Sequence, residues 1–256
     1  MITVKNTPSL TGVEISGDFN DLDNLVEALH TITIDEDNEK QRQYLDISMR
    51  VLGLCYDIRH AGQGDREIRL VDNYMTEEIM QWHSLIAPKN NVCFSCKYLY
   101  PEMFFVMLAL NELVEVRMKD LAKTKYLYRE GTDKKVVWDE TIAVIRLFQA
   151  EFAKCVKNTL SEASFARWLN SMNGSYIGIE DIAGQYIDLL NIKYINMTKE
   201  KRLKNLSSIA KRIAGFRHED DHKAIKETVS EAAGEYGCEP GAIQLQGIEY
   251  PEDYEW

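Results

Sequence analysis

The stretch PEMFFVMLAL, residues 101–110, decides the fold class of this 256-residue chain. Pro101 suits the first turn of a helix, where the N–H that proline lacks would have no partner anyway. From Met103 to Leu110 every residue is apolar, so the helix has no polar face and is expected to be buried. This run is far shorter than the about 20 residues needed to cross a bilayer. The segment therefore predicts a core helix and not a membrane span.

The chain after residue 75 carries further signals of helices. Four residues that can accept a hydrogen bond each precede a segment in which apolar side chains recur at helical spacing. A last helix is predicted to begin near Glu219 or Asp220. Thr76, Ser161 and Thr198 are the predicted N-caps, and another helix is predicted to begin at Asp139.

The first third of the chain has a mixed α/β pattern. Ile2 and Val4 alternate with polar residues, as do Val13 and Ile15, and the turn residues between them predict a β-hairpin. Asp21 is then predicted to cap a helix, because apolar residues follow it at helical spacing. The expected fold is therefore α+β and predominantly α-helical, with a small N-terminal β-hairpin/α portion followed by a helical bundle.

The predicted organisation has three parts. Residues 1–75 form the N-terminal α/β portion, residues 76–236 the helical bundle, and residues 237–256 an acidic, aromatic tail. The opening residues lack the basic and apolar segments of a secretory signal. Five cysteines, an odd number, favour free thiols. We therefore expect a cytoplasmic protein that does not associate with membranes.

The charge is unevenly distributed near the C-terminus. The chain has a net charge of −11, which argues against a protein that binds nucleic acid over its whole surface. Residues 193–217 nevertheless hold eight basic residues and one acid, whereas residues 218–256 hold eleven acids and two lysines. The boundary between the two segments falls on the sequence RHEDDH, residues 217–222.

One interpretation of this sequence is a zinc site. From His218 to His222 it has the spacing H-E-x-x-H, which places two metal ligands on one helical face, with Glu219 as the base that activates a metal-bound water. The two central residues are aspartates, which a helix start favours without a metal. No third ligand is evident in the sequence, so a zinc-dependent hydrolase is the weakest of three functional hypotheses, and we expect no metal or other cofactor.

A second interpretation begins at Arg217. The segment FRHEDDH, residues 216–222, resembles the R-x4–6-H motif of the HEPN superfamily of metal-independent ribonucleases, which often have a histidine directly after the arginine. The resemblance implies a helical bundle that acts as a homodimer, with the motif near the junction of the last two helices. It also implies a toxin or defence role and catalysis by Arg217, His218 and His222.

The chemistry of RNA cleavage fits these residue types. The 2′-hydroxyl of RNA is an internal nucleophile, so His222 could transfer protons while Arg217 stabilises the negatively charged phosphate. The basic helix before the motif could follow the RNA backbone. The alternative is a non-catalytic interaction or regulatory protein whose basic helix and acidic tail bind a partner protein. The predicted RNA-binding residues are Lys199, Lys201, Arg202, Lys204, Lys211 and Arg212.

Overall fold

A computed structural model of the chain describes residues 1–35, 37–122, 127–173, 182–247, 250–251 and 253–256. These residues include a four-stranded antiparallel sheet with the strand order β1-β2-β4-β3. The strands are β1 (Thr3–Asn6), β2 (Gly12–Gly17), β3 (Glu67–Asp72) and β4 (Asn90–Leu99).

Helices make up most of the described chain. The first part of the chain provides α1 (Phe19–Ile32), α2 (Leu45–Gly62) and α3 (Glu77–Trp82). They are followed by α4 (Tyr100–Ala122), α5 (Leu127–Glu130), α6 (Lys134–Val137), α7 (Glu140–Thr159) and α8 (Glu162–Ser171). The last helices are α9 (Ile182–Ile195), α10 (Lys199–Ala214) and α11 (Asp220–Tyr236). Short 3-10 helices span Glu39–Tyr44, Phe216–His218 and Pro240–Ala242.

The sheet confirms the predicted hairpin and extends it. Val4 lies opposite Ile15 in the β1–β2 pair, and both side chains are buried. Strand β4 is longer than either neighbour: β2 pairs with residues 94–99 of β4, and β3 with residues 90–95. In the described part of the chain, the segment 96–99 of β4 is therefore paired along one edge only.

The helix caps follow the sequence closely, with one correction. Thr76, Ser161 and Thr198 cap α3, α8 and α10, as predicted, and Asp139, where a helix was predicted to begin, is the N-cap of α7. The predicted cap of α1 is wrong, because Asp18 and not Asp21 is its N-cap residue. Asp18 accepts a hydrogen bond from the Asp21 amide (2.9 Å), and the Asp21 carboxylate accepts one from the Asp18 amide (3.0 Å). This reciprocal capping box starts the helix earlier than its apolar spacing indicates.

Helix α4 is the centre of the fold. Its segment from Tyr100 to Leu110 is buried throughout, which confirms the prediction made for Met103 to Leu110. The helix packs against α2, α9 and α10 and also contacts the sheet. Burying such a segment on all sides requires elements from the whole chain around it. One continuous hydrophobic cluster accordingly includes residues from Ile2 to Val229.

The architecture is thus α+β and mostly helical. Within the described residues, no helix is both long enough and apolar enough to cross a membrane. The C-terminal segment packs on the fold: the Gln185 amide of α9 donates to the Ile243 carbonyl (2.8 Å), and the Ser9 amide donates to the Trp256 carbonyl (2.9 Å). Residues 248, 249 and 252 of the predicted tail lie outside the described residues.

Candidate functional site

His222, the predicted catalytic histidine, is a core residue of α11. It is only 2% exposed and belongs to the buried face of the helix, together with Ile225 and Val229. Its ring lies edge-on to Phe216, with ring centroids 4.8 Å apart, and to Tyr186 at 5.7 Å. A substrate could reach His222 only if these aromatic rings separated.

Arg217 and His218 lie elsewhere, on the surface. They belong to the 3-10 turn Phe216–His218, which connects α10 to α11, and both are exposed. The structure therefore does not bring Arg217 and His222 together on one open surface. It also removes the premise of the zinc interpretation, because His218 precedes α11 and does not share a helical face with His222. In the part of the chain that the structure describes, no group of three His, Cys, Asp or Glu side chains is arranged to hold a metal ion.

The acidic residues of the motif form ion pairs with basic residues. Arg212 of α10 binds the Glu219 carboxylate (2.7 Å) and the Asp221 carboxylate (2.8 Å). Lys193 of α9 also binds Asp221 (2.7 Å). The hydrogen bond from Lys193, together with that from Arg212, lowers the pKa of Asp221 below its ordinary value. Arg212, predicted to bind RNA, thus joins α10 to the start of α11.

Arg202 is also part of the fold. It is 5% exposed, although it was predicted to contact RNA. Its guanidinium donates to the carbonyls of Tyr194 (3.2 Å) and Ile195 (2.6 Å) at the end of α9. It also donates to the Ser9 carbonyl (2.8 Å) and the Thr11 hydroxyl (2.6 Å) in the β1–β2 turn. Arg202 therefore ties the helical part of the chain to the sheet and is not available to a ligand.

The other predicted RNA-binding residues are exposed on α10. Two of them, Lys204 and Lys211, line a groove between α8 and α10, whereas Lys199 and Lys201 are not among its lining residues. Arg167 of α8 lines the opposite wall. The groove has a volume of about 500 Å³. Its other lining residues are Thr159, Leu160, Ser161, Ser164, Ser171, Leu203, Ser207 and Ser208.

The groove combines positive charge with hydroxyl groups. No acidic side chain is among its described lining residues, and within the described chain neither Lys204 nor Lys211 forms an ion pair. Arg167 donates to the Ser164 hydroxyl (3.0 Å). This acceptor is neutral, so the bond does not neutralise the guanidinium charge. Three cations next to hydroxyl groups are suited to the oxygens of phosphate groups.

Arg167 is the cation of this groove that was not among the predicted RNA-binding residues. Ser164, Arg167 and Ser171 recur at positions i, i+3 and i+7, so they share one face of α8, and this signal is present in the sequence. That this face lies beside α10 depends on tertiary packing. Only the structure reveals it.

The chain belongs to the family described as "Domain of unknown function (DUF6904)", whose family model matches residues 2–256. No curated protein and no solved structure matches it. The matched residues extend over the sheet, the helices and the C-terminal segment.

Proposed function

We propose that the protein binds single-stranded RNA along the groove between α8 and α10. The observation that carries the proposal is the convergence of Arg167, Lys204 and Lys211 on a groove whose described lining includes no acid. Neighbouring packed helices lie about 8–10 Å apart, so the groove between them suits one strand and not a duplex. The serine hydroxyls add donors for phosphate and sugar oxygens.

The residues of the groove predict how this binding depends on the RNA sequence and on the salt concentration. No aromatic side chain is among its described lining residues, so base stacking contributes little and the RNA sequence is read weakly. Affinity then comes from neutralising phosphates. Three such contacts predict that the logarithm of the binding constant falls with the logarithm of salt concentration with a slope of about −2.

The test is fluorescence anisotropy of a labelled, unstructured RNA oligonucleotide at several salt concentrations. The double variant Lys204→Glu/Lys211→Glu removes two groove cations and is expected to weaken binding by at least about tenfold and to reduce the salt slope by about 1.4. Lys199→Glu/Lys201→Glu is the matched control, with the same charge change on the same helix but outside the groove. We expect it to weaken binding less than about threefold.

Two results would contradict the proposal. If the unaltered protein binds no RNA at low salt, the groove is not an RNA site. If both double variants weaken binding equally, the net charge of the protein and not the groove determines the affinity.

RNA cleavage is a second candidate function. It is favoured by one observation: Arg217 and His218 are exposed in the turn that directly follows α10, the helix that carries two of the groove cations. Cleavage would be of the metal-independent type implied by the HEPN resemblance, in a homodimer with a toxin or defence role. Because His222 is buried, His218 is the histidine that an RNA chain could reach without a rearrangement.

Cleavage is tested with labelled RNA in the presence of EDTA. Activity that survives chelation, and that His218→Ala or Arg217→Ala abolishes without a change in melting temperature, supports a ribonuclease. Binding without cleavage leaves the protein as an RNA-binding or regulatory protein. The compartment that we propose is the cytoplasm, where RNA is available and where the five free cysteines would remain reduced.

A further inference from the structure

A second concave site lies where β4 extends beyond β3. This β4 cleft has a volume of about 660 Å³, a size that suits a small molecule. Its walls are α2, residues 65–67 at the start of β3, the segment 95–99 of β4, the start of α4, α9 and the C-terminal segment. Its lining includes Arg50, Ser95, Glu102, Asn191, Tyr254 and Trp256.

A buried polar network forms one wall of the cleft. Arg50 of α2 binds the Glu102 carboxylate of α4 (3.1 Å) and the Asp188 carboxylate of α9 (3.0 Å). Asn191 donates from its Nδ2 to Glu102 (3.0 Å) and to the hydroxyl of Tyr250 (2.8 Å). Because a carboxylate accepts the first of these bonds, the orientation of the Asn191 amide is fixed, with Nδ2 towards Glu102.

Two buried side-chain atoms of residues that line this cleft have no hydrogen-bond partner among the described residues. They are the Oδ1 of Asn191, a residue with no exposed surface, and the Oγ of Ser95, a residue that is 2% exposed. Leaving such groups unpaired destabilises a folded protein, so buried polar atoms nearly always have a hydrogen-bond partner. Asn191 Oδ1 is an acceptor, and a ligand N–H group would satisfy it.

Charge and aromatic surface restrict the ligand further. Among the described residues, four carboxylates and three cations line the cleft, an excess of one negative charge that disfavours an anionic ligand. Tyr254 and Trp256, with ring centroids 5.1 Å apart, contribute aromatic surface to the lining. Aromatic faces bind planar rings by stacking and cations by attraction to the ring face. The described carboxylates are Asp57, Asp65, Glu67 and Glu102, and the cations are Arg50, Arg66 and Lys97.

We propose that the β4 cleft binds a planar nitrogen heterocycle that carries N–H donors and no phosphate, of the size of a nucleobase or nucleoside. The ring lies against Tyr254 and Trp256, and its N–H groups donate to Asn191 Oδ1 and Ser95 Oγ. Tyr250, which donates to Asp188 (3.2 Å) and accepts from Asn191, covers this wall and shifts as the ligand enters. The cleft shares no lining residue with the α8–α10 groove, so ligand binding in the cleft is tested independently of RNA binding in the groove.

The test measures the binding of adenosine, cytidine and AMP to the full chain by tryptophan fluorescence and by calorimetry. Both nucleosides, or one of them, are expected to quench the emission of Trp256 saturably, and Trp256→Phe removes that signal while calorimetry still detects binding. AMP is expected to bind at least about tenfold more weakly than adenosine, because its phosphate meets the excess of carboxylates. The proposal would be overturned if neither nucleoside bound at millimolar concentration, or if AMP bound as tightly as adenosine.

Variants locate the site. Ser95→Ala is expected to weaken nucleoside binding about fivefold and yet leave the protein as stable as before or more stable, because it removes a buried hydroxyl without a partner in the described chain. Tyr254→Leu is expected to weaken binding to a similar extent. Tyr236→Leu, at a tyrosine that is 74% exposed on α11 and outside the cleft, is the control. Unchanged affinity in both Ser95→Ala and Tyr254→Leu would show that any nucleoside binds elsewhere.

Discussion

The α8–α10 groove and the β4 cleft have similar volumes but are built differently. Lys204 and Lys211 of the groove are exposed cations of one helix, without a carboxylate partner among the described residues. In the cleft, Arg50 is held by carboxylates from α4 and α9, and Glu102 is 6% exposed. The charges of the groove can therefore be changed at little cost to the fold, whereas the Arg50–Glu102 pair of the cleft also stabilises it. Substitutions in the two sites should separate ligand binding from stability.

The largest expected effect is in the cleft. Arg50→Met leaves the buried Glu102 carboxylate without its cationic partner and is expected to lower the free energy of unfolding by about 3–5 kcal/mol. Urea denaturation followed by circular dichroism measures it. Arg66→Met is the matched control, because the Arg66–Asp57 pair is partly exposed on both sides, and it should cost at most about 1 kcal/mol. Similar losses in the two variants would mean that the Arg50 network is no more important than a surface ion pair.

The next effect distinguishes two basic residues of α10. Arg202→Met removes four hydrogen bonds from a buried guanidinium and is expected to lower the free energy of unfolding by about 2–4 kcal/mol. Lys204→Met should leave stability within about 0.5 kcal/mol of the original and weaken RNA binding instead. Denaturation and RNA anisotropy on the same samples test both statements. If the Arg202→Met protein were as stable as the original and bound RNA more weakly, Arg202 would belong to the RNA-binding surface.

The two histidines of the motif make a similar pair. His222→Ala leaves a cavity beside Phe216 and is expected to cost about 2–3 kcal/mol of stability, as for other buried side chains. His218→Ala, at the surface, should cost less than about 0.5 kcal/mol. Thermal denaturation compares them. If His222→Ala were as stable as the original protein, the packing role would be wrong and a catalytic role would regain its support.

Most of the fold could be predicted because local patterns determine it. The N-caps at Asp139, Ser161 and Thr198 and the apolar segment 103–110 all proved to be where the sequence indicated. The cap of α1 could not be placed in the same way, because Asp18 and Asp21 are both suitable residues and the choice between them depends on the backbone geometry of the reciprocal box.

The site was harder to predict, although part of the signal was in the sequence. Arg202 lies one turn before Leu206 and two before Ala210, both buried, so helical spacing alone places it on the apolar face of α10. His222, Ile225 and Val229 have the same relation on α11. A motif is defined by residue types, so it does not show which of its residues lie on the buried face of a helix.

The cleft, by contrast, left no such signal. Arg50, Glu102, Asp188 and Asn191 come from three helices that are distant in sequence, and only tertiary packing brings them together. No local pattern of the chain connects them.

The smallest expected effect is the pH dependence of the ion pairs at the start of α11. The folded-state pKa of Asp221 is lowered, first by Lys193 and then by Arg212, so its stabilising contribution is present above its unfolded pKa of about 3.9 and is lost as the pH falls through the folded value. Asp221→Asn should therefore be less stable at pH 7, by under about 1 kcal/mol because the pair is partly exposed, and this difference should shrink below about pH 4.

Urea midpoints at pH 7, 5 and 3 measure this difference. Asp220→Asn is the control, since its carboxylate, paired with Lys223, is fully exposed and should show little change at any of these pH values. A difference for Asp221→Asn that stays the same at pH 3 would mean that the asparagine disturbs the start of α11 itself. In that case the charges of this segment would not stabilise the fold, and the contrast between stabilising and freely substitutable charges would apply to the buried network alone.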